Sequence, residues 1–475
     1  MKLRMWQTAS AAKRCLLIAG ATLAAMLIIF LSLITIELVA FRAIDMPGNS
    51  TKDFKNSLKN DAQLVQQGEY LAKLGNCAAC HSARGGELFA GGKPIHTPFG
   101  AVYASNITPD PQHGIGSWSA EAFYRAMKHG VNAQGRLLTP AFPYTNYTHV
   151  SRADSDALFA YFQSGVKPVA QPNKAHELAF PFNTQLAMAV WRVLFFSADP
   201  PSSATDSIAL RADHMPASGL KSIETASNID EIQRGRYLVN GLGHCSACHA
   251  QRNALGAASS DGLLAGALMP MQDGYAPSLH ARQEAGVQHW PREQIVAFLK
   301  NGTTHNASAL GPMAEVVAKS TQYWRDADLN AAAAYLQSLP VLPMATKVPT
   351  KASPQSLQRG AALYAQHCAT CHGADGQGAR EADALTQQTL LIPALAGNRA
   401  IALSSSANIV LVILAGGYAP ATQGNPRPYG MPPFVHVLSD EDIAAVATYI
   451  RASWGHQAGA VSATEVIAQR RGVLQ

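Results

Sequence analysis

Three copies of Cys-x-x-Cys-His, at 77–81, 245–249 and 368–372, each place two thiols and an imidazole within one short turn of chain. At that spacing the thiols can form thioethers to both vinyl groups of one porphyrin while the adjoining imidazole reaches the iron. The expected cofactors are therefore three covalently bound haem c groups, held by Cys77 and Cys80, Cys245 and Cys248, and Cys368 and Cys371. The expected proximal iron ligands are His81, His249 and His372. Zinc knuckles and thioredoxin-like motifs also use Cys-x-x-Cys, but here each pair carries its own histidine and lacks a second pair at tetrahedral spacing. Six of the seven cysteines are used in this way, leaving no disulfide framework; Cys15 lies in an apolar leader.

A distal methionine is expected after a Gly- and Pro-rich loop, because a soft thioether favours ferrous iron and raises the potential. Met313, in Gly-Pro-Met-Ala-Glu, and Met431, in Tyr-Gly-Met-Pro-Pro, fit that place. The first repeat reads Thr139-Pro140-Ala141-Phe142-Pro143, and Phe142 cannot bind iron. Met127, His129 or Met188 could substitute, the iron could stay five-coordinate, or water could bind; the sequence leaves these open.

Each motif needs helices to hold it. The lead-ins Gln67-Gly68-Glu69-Tyr70-Leu71, Arg234-Gly235-Arg236-Tyr237-Leu238 and Arg359-Gly360-Ala361-Ala362-Leu363 repeat one pattern, with a glycine where another helix can approach closely. Each repeat closes on a second helical stretch, from Asp154, Asp328 and Asp440, and Ser439 with Asp442 forms a capping-box pattern. The expected fold is all-α: three tandem cytochrome c-type domains at 60–200, 228–340 and 355–455. Pro-rich linkers at 201–227 and 341–354 separate them, and residues 456–475 form a C-terminal extension with the character of a short peripheral helix or a frayed end.

A basic stretch at 1–14 precedes a charge-free run from Cys15 to Ile36, long enough to predict a transmembrane anchor over 15–40 with the haem domains facing the periplasm. A long cleaved leader ending at Leu38-Val39-Ala40 is the alternative. The formal charge of +6 is offset by haem propionates, and no basic cluster follows residue 50, so nucleic acid is not an expected partner. The aromatic run Leu178 to Phe196 reads as core packing, with membrane or partner contact as the rival. Arg470 and Arg471 read as solvated charge, with anionic lipid as the alternative.

Asn106-Ile107-Thr108-Pro109-Asp110, His244 to His249 with Arg252-Asn253, and Gly311 to Val317 resemble the triheme cytochrome c subunits of membrane-bound bacterial dehydrogenases, over nearly the whole chain after the leader. The resemblance implies an electron relay from a periplasmic dehydrogenase catalytic subunit to ubiquinone or the respiratory chain. Pro-Ala-Phe-Pro-Tyr is similar to versions that serve molybdenum hydroxylases of aldehydes or N-heterocycles; quinoprotein and flavoprotein partners remain alternatives. The rival class is a multihaem peroxidase using the first site.

Overall fold

The computed structural model describes residues 2–39, 61–198, 222–259, 264–269, 274–304, 307–341, 349–381 and 389–473. Most of the expected linkers at 201–227 and 341–354, and the side chains of the basic stretch and Cys15, lie outside the described residues.

The first unit follows helix α1 (Lys2–Val39) and comprises α2 (Ala62–Leu74), α3 (Cys77–His81), α4 (Ala120–His129), α5 (Tyr144–Tyr147), α6 (Arg152–Ala160) and α7 (Gln185–Phe195). The second has α8 (Ser222–Tyr237), α9 (Ser246–His249), α10 (Arg292–Asn301), α11 (Gly311–Lys319) and α12 (Asp326–Ser338). The third has α13 (Pro354–His367), α14 (Ala369–His372), α15 (Ala407–Ala415), α16 (Asp440–Ala452) and α17 (Ala463–Val473). Helix starts follow the capping chemistry: Asp61, Ser119, Ser151 and Ser353 each accept an amide from the first turn, and Ser439 with Asp442 forms the full capping box.

One crossing recurs three times. α2 packs on α6, α8 on α12 and α13 on α16, with Gly68, Gly235 and Gly360 at the contact. A methyl group on these glycines would lie 1.9, 1.8 and 2.2 Å from the carbonyl oxygens of Ala157, Ala331 and Ala445. Backbone meets backbone there, so only glycine fits.

Three features correct the all-α reading and its membrane anchor. The first unit contains a three-stranded antiparallel sheet of β1 (Pro94–Thr97), β2 (Gly100–Tyr103) and β3 (Glu177–Leu178), and later loops are pinned by two-stranded ladders. Loops this long must satisfy their own backbone groups, and strand pairing does so.

Secondly, among the described residues no helix is long and apolar enough to cross a membrane, which removes the transmembrane helix expected over 15–40. The physical reason lies at the end of α1. Phe30 packs on a cluster containing Ile34, Val131, Leu137 and Ala189, and Glu37 accepts a 2.7 Å ion pair from Arg192 of α7. One face of the last turns of the apolar run is thus committed to protein, while Leu31, Leu33 and Ile36 on its other faces stay exposed.

Thirdly, the units are not three equal beads. A single hydrophobic core runs through the first and second, uniting Leu71, Leu74, Leu158, Leu238, Leu242 and Leu329, whereas the third builds its own around Tyr364, Val410, Ile443 and Val446. The third unit meets the second through Asn408, which exchanges two hydrogen bonds with the Tyr275 backbone, and through Arg399, which donates to the Gly286 carbonyl.

The aromatic run 178–196 divides between both readings. Arg192 and Ala189 are buried and Trp191 donates to the Leu255 carbonyl, while Phe180, Leu186 and Leu194 are exposed. The C-terminal extension is a packed helix: Val466 of α17 is fully buried, and Arg470 is bound to Asp440 and to the carbonyls of Val435 and Leu438.

Candidate haem sites

The Cys-x-x-Cys-His segments form the short helices α3, α9 and α14, each placed directly after its lead-in helix. All six cysteines are free thiols rather than disulfides. Burial pushes Cys77 and Cys245 up to about 12 and Cys368 to about 11, so these thiols are neutral at ordinary pH.

Two of the three histidines are held in one tautomer. Nδ1 of His81 lies 2.7 Å from the Ser105 carbonyl, and Nδ1 of His249 lies 2.7 Å from the Pro277 carbonyl. A carbonyl only accepts, so the proton sits on Nδ1 and the lone pair on Nε2, and burial lowers both imidazole pKa values to keep them neutral. A neutral imidazole with a free Nε2 is what an iron ligand requires. In the third unit burial likewise lowers His372, and the Pro393 carbonyl acts on it, although Nδ1 makes no hydrogen bond of normal geometry.

Cys77, Cys80, His81 and Cys248 line one continuous cavity of about 3100 Å³ that spans the first two units. Its walls over the first motif include Phe123, Met127, Phe142 and Phe162, an apolar lining suited to a porphyrin. The neutral thiol pairs, the oriented imidazoles and this enclosure all fit haem c.

Two cations that sequence reasoning missed attend the motifs. Lys93 Nζ donates to the Ala79 carbonyl inside the first motif, at 2.7 Å, and to Glu315 of α11 at 2.9 Å. Arg252 Nη2 makes the equivalent 2.7 Å bond to Ala247 inside the second motif. The signal was faint: the two cations stand at different distances along the chain from their motifs. α11 itself packs against α3, so the helix that begins with Met313 also braces the first haem motif.

Met313 lies in the first turn of α11, and Met431 lies on strand β4 (Gly430–Met431), partly buried against the third core. Phe142 occupies the corresponding loop of the first unit and packs 5.3 Å, ring to ring, from Tyr147.

Comparison with known proteins decides the family. The chain is 36% identical over 423 residues to the cytochrome c subunit of a quinone alcohol dehydrogenase of Gluconobacter oxydans, covering 86% of this chain and 82% of that one. It is 37% identical over 428 residues to the gluconate 2-dehydrogenase cytochrome c subunit of Pantoea cypripedii, covering 87% and 90%. The chain belongs to the cytochrome c subunits of bacterial dehydrogenases. A nicotinate dehydrogenase subunit of Pseudomonas putida is 36% identical over 404 residues, which cover 82% of this chain but 30% of that protein.

Family membership brings covalently attached haem c and electron transfer within a dehydrogenase complex. It also corrects the expectation of three tandem cytochrome c domains, because the cytochrome c family profile matches residues 357–454 alone. The shared core accounts for the difference: the first two units have exchanged independent packing for a joint one and carry insertions such as the three-stranded sheet.

Proposed function

We propose that the chain is a three-haem electron relay, taking electrons from a dehydrogenase catalytic subunit at the periplasmic side and delivering them to ubiquinone or another respiratory acceptor. One observation carries this reading: the same assembly of close-packed glycine crossing, free thiol pair and half-buried neutral histidine occurs three times. Cys77 and Cys80, Cys245 and Cys248, and Cys368 and Cys371 would each form two thioethers. His81, His249 and His372 would bind through Nε2, with Met313 and Met431 as distal ligands in the second and third units.

When bound, haem iron supplies reversible one-electron chemistry, which allows a two-electron oxidation in a partner to be divided. The protein fixes positions and sets potentials through axial ligands, hydrogen bonds to the imidazoles and local charge. No acid, base or nucleophile is required. The second unit contacts both others, which supports it as the middle station.

Phe142 in the first distal loop favours a molybdenum hydroxylase of an aldehyde or N-heterocycle as the partner. The nicotinate relative is consistent with that choice, while its identity of 36% equals that of the alcohol dehydrogenase subunit. Reduction of the holoprotein by a co-purified dehydrogenase with its substrate tests the relay. All bound haem should become reduced on substrate addition, and haem that stays oxidised beside an active catalytic subunit would refute it.

A further inference from the structure

In each unit the helix before the distal loop ends at a glycine of positive φ: Gly130 after α4, Gly302 after α10 and Gly416 after α15. An antiparallel pairing then leads into the loop, by the Val131–Leu137 bridge, by Thr303–Thr304 with Ala307–Ser308, and by Gly417–Tyr418 with β4. The loops are structural equivalents. Two present a methionine, and the first presents Phe142, whose ring has no lone pair to give.

The same alignment disposes of the nearest substitute. Met127 stands three residues before Gly130, where the other units have Leu299 and Ile413 before their glycines. Met127 and Ile413 are buried in their cores and Leu299 packs against its core, so Met127, although it also borders the cavity, occupies a place that is apolar core in all three units. Met188 on α7 also borders the cavity, but it is held by packing against the separate cluster containing Val131 and Leu137. His129 is two residues beyond Met127, roughly 200° around the helix, and faces away from the side that carries Met127.

We propose that the first site keeps an open distal coordination position, walled by Phe142, that accepts a small uncharged π-acceptor such as carbon monoxide or nitric oxide when reduced. This rests on the three-haem reading. Phe123, Met127, Leu138 and Phe142 line the cavity shared with His81, and such apolar walls penalise a charged ligand by desolvation while admitting a neutral diatomic.

The test is carbon monoxide titration of the reduced holoprotein, with electron paramagnetic resonance of the oxidised form. The expected result is one carbon monoxide per three haems and one high-spin ferric signal. Phe142→Met should abolish both, whereas Phe142→Leu should retain both, which separates ligation from packing. Met313→Ala should add a second equivalent and so calibrates the assay. A three-haem protein that its dehydrogenase reduces fully but that takes up no carbon monoxide would overturn this proposal alone. Uptake unchanged in Phe142→Met would overturn it too, while a sample with fewer than three haems would defeat the relay reading instead.

Discussion

Tyr70 donates a 2.6 Å hydrogen bond to Oδ2 of Asp328, joining the lead-in helix of the first unit to the terminal helix of the second. The relationship is reciprocal, because Tyr237 of the second unit donates at 2.5 Å to Asp154 of the first. Backbone amides complete the match: Arg325 N–H donates to Tyr70 and Ser151 N–H donates to Tyr237. The first two units are therefore related by an approximate two-fold arrangement about their joint core. The third has Ala362 in the tyrosine's place, and its Arg359 pairs with its own Asp442.

That symmetry is unequal in charge, which makes a prediction. Asp328 is also hydrogen-bonded and ion-paired to Arg234, whereas among the described residues the Asp154 carboxylate is hydrogen-bonded only by the neutral amide of Gln67 beside Tyr237. Tyr237→Phe should thus destabilise the paired units by about 1.5–3 kcal/mol, the range for hydrogen bonds to charged groups, and Tyr70→Phe by less. Urea unfolding midpoints of the two variants measure this; equal losses would show that Arg234 gives Asp328 no compensation.

At the helix crossings, Gly235→Ala sets two effects against each other. Alanine favours a helix by about 1 kcal/mol, but its methyl would lie 1.8 Å from a backbone oxygen. Overpacking costs about 1–3 kcal/mol, and more where, as here, backbone rather than a flexible side chain must move. The variant should lose stability and mature with fewer haems, read by unfolding and by haem content. A more stable, fully loaded variant would contradict the packing argument.

Charge beside the motifs should tune potential. Lys93 is paired with Glu315, a carboxylate it shares with Lys319, whereas among the described residues Arg252 bonds only the carbonyls of Ala247 and Gly256. Removing the unpaired cation by Arg252→Gln should lower the midpoint potential of the second haem by up to about 59 mV, tenfold in a one-electron equilibrium. Lys93→Gln should shift the first haem less. Potentiometric titration of both variants decides it.

The C-terminal helix should loosen in acid. Burial pushes the Glu465 carboxyl up, but hydrogen bonds from Ser462 and Ser406 outweigh it and hold its pKa below the ordinary 4.5. A depressed folded pKa contributes stability that is present above the unfolded value and lost as pH falls through the folded one. Amide exchange of α17 (Ala463–Val473) should therefore accelerate below about pH 4.5, and Glu465→Gln should flatten that dependence. An unchanged acid response in the variant would exclude Glu465 as its source.

The motifs on which the proposed sites rest stand out in the sequence because covalent attachment would constrain them locally. Cys-x-x-Cys-His has to be contiguous, and Gly68, Gly235 and Gly360 repeat because no larger residue fits where backbones touch. Phe142 standing where the other repeats have Met313 and Met431 is visible in one letter for the same reason. The joint core is not. Leu71 and Leu242 look alike as helix-face residues, and only the pairing of units shows that they share an interior. Tyr70 and Tyr237 against Ala362 held that information, but a hydrogen bond to Asp328 spans too much chain to be read from local pattern. The anchor reading failed at Glu37, whose partner Arg192 lies far along the sequence. The strands were missed because each is only two to four residues long, too short for an alternating pattern.

Covalent haem stoichiometry tests the central claim most directly. Intact mass spectrometry of protein matured with a competent haem-attachment system, combined with pyridine haemochrome absorbance, should give three haems per chain. Replacing both cysteines of any one motif by alanine should remove one. A wild-type stoichiometry below three would contradict the account.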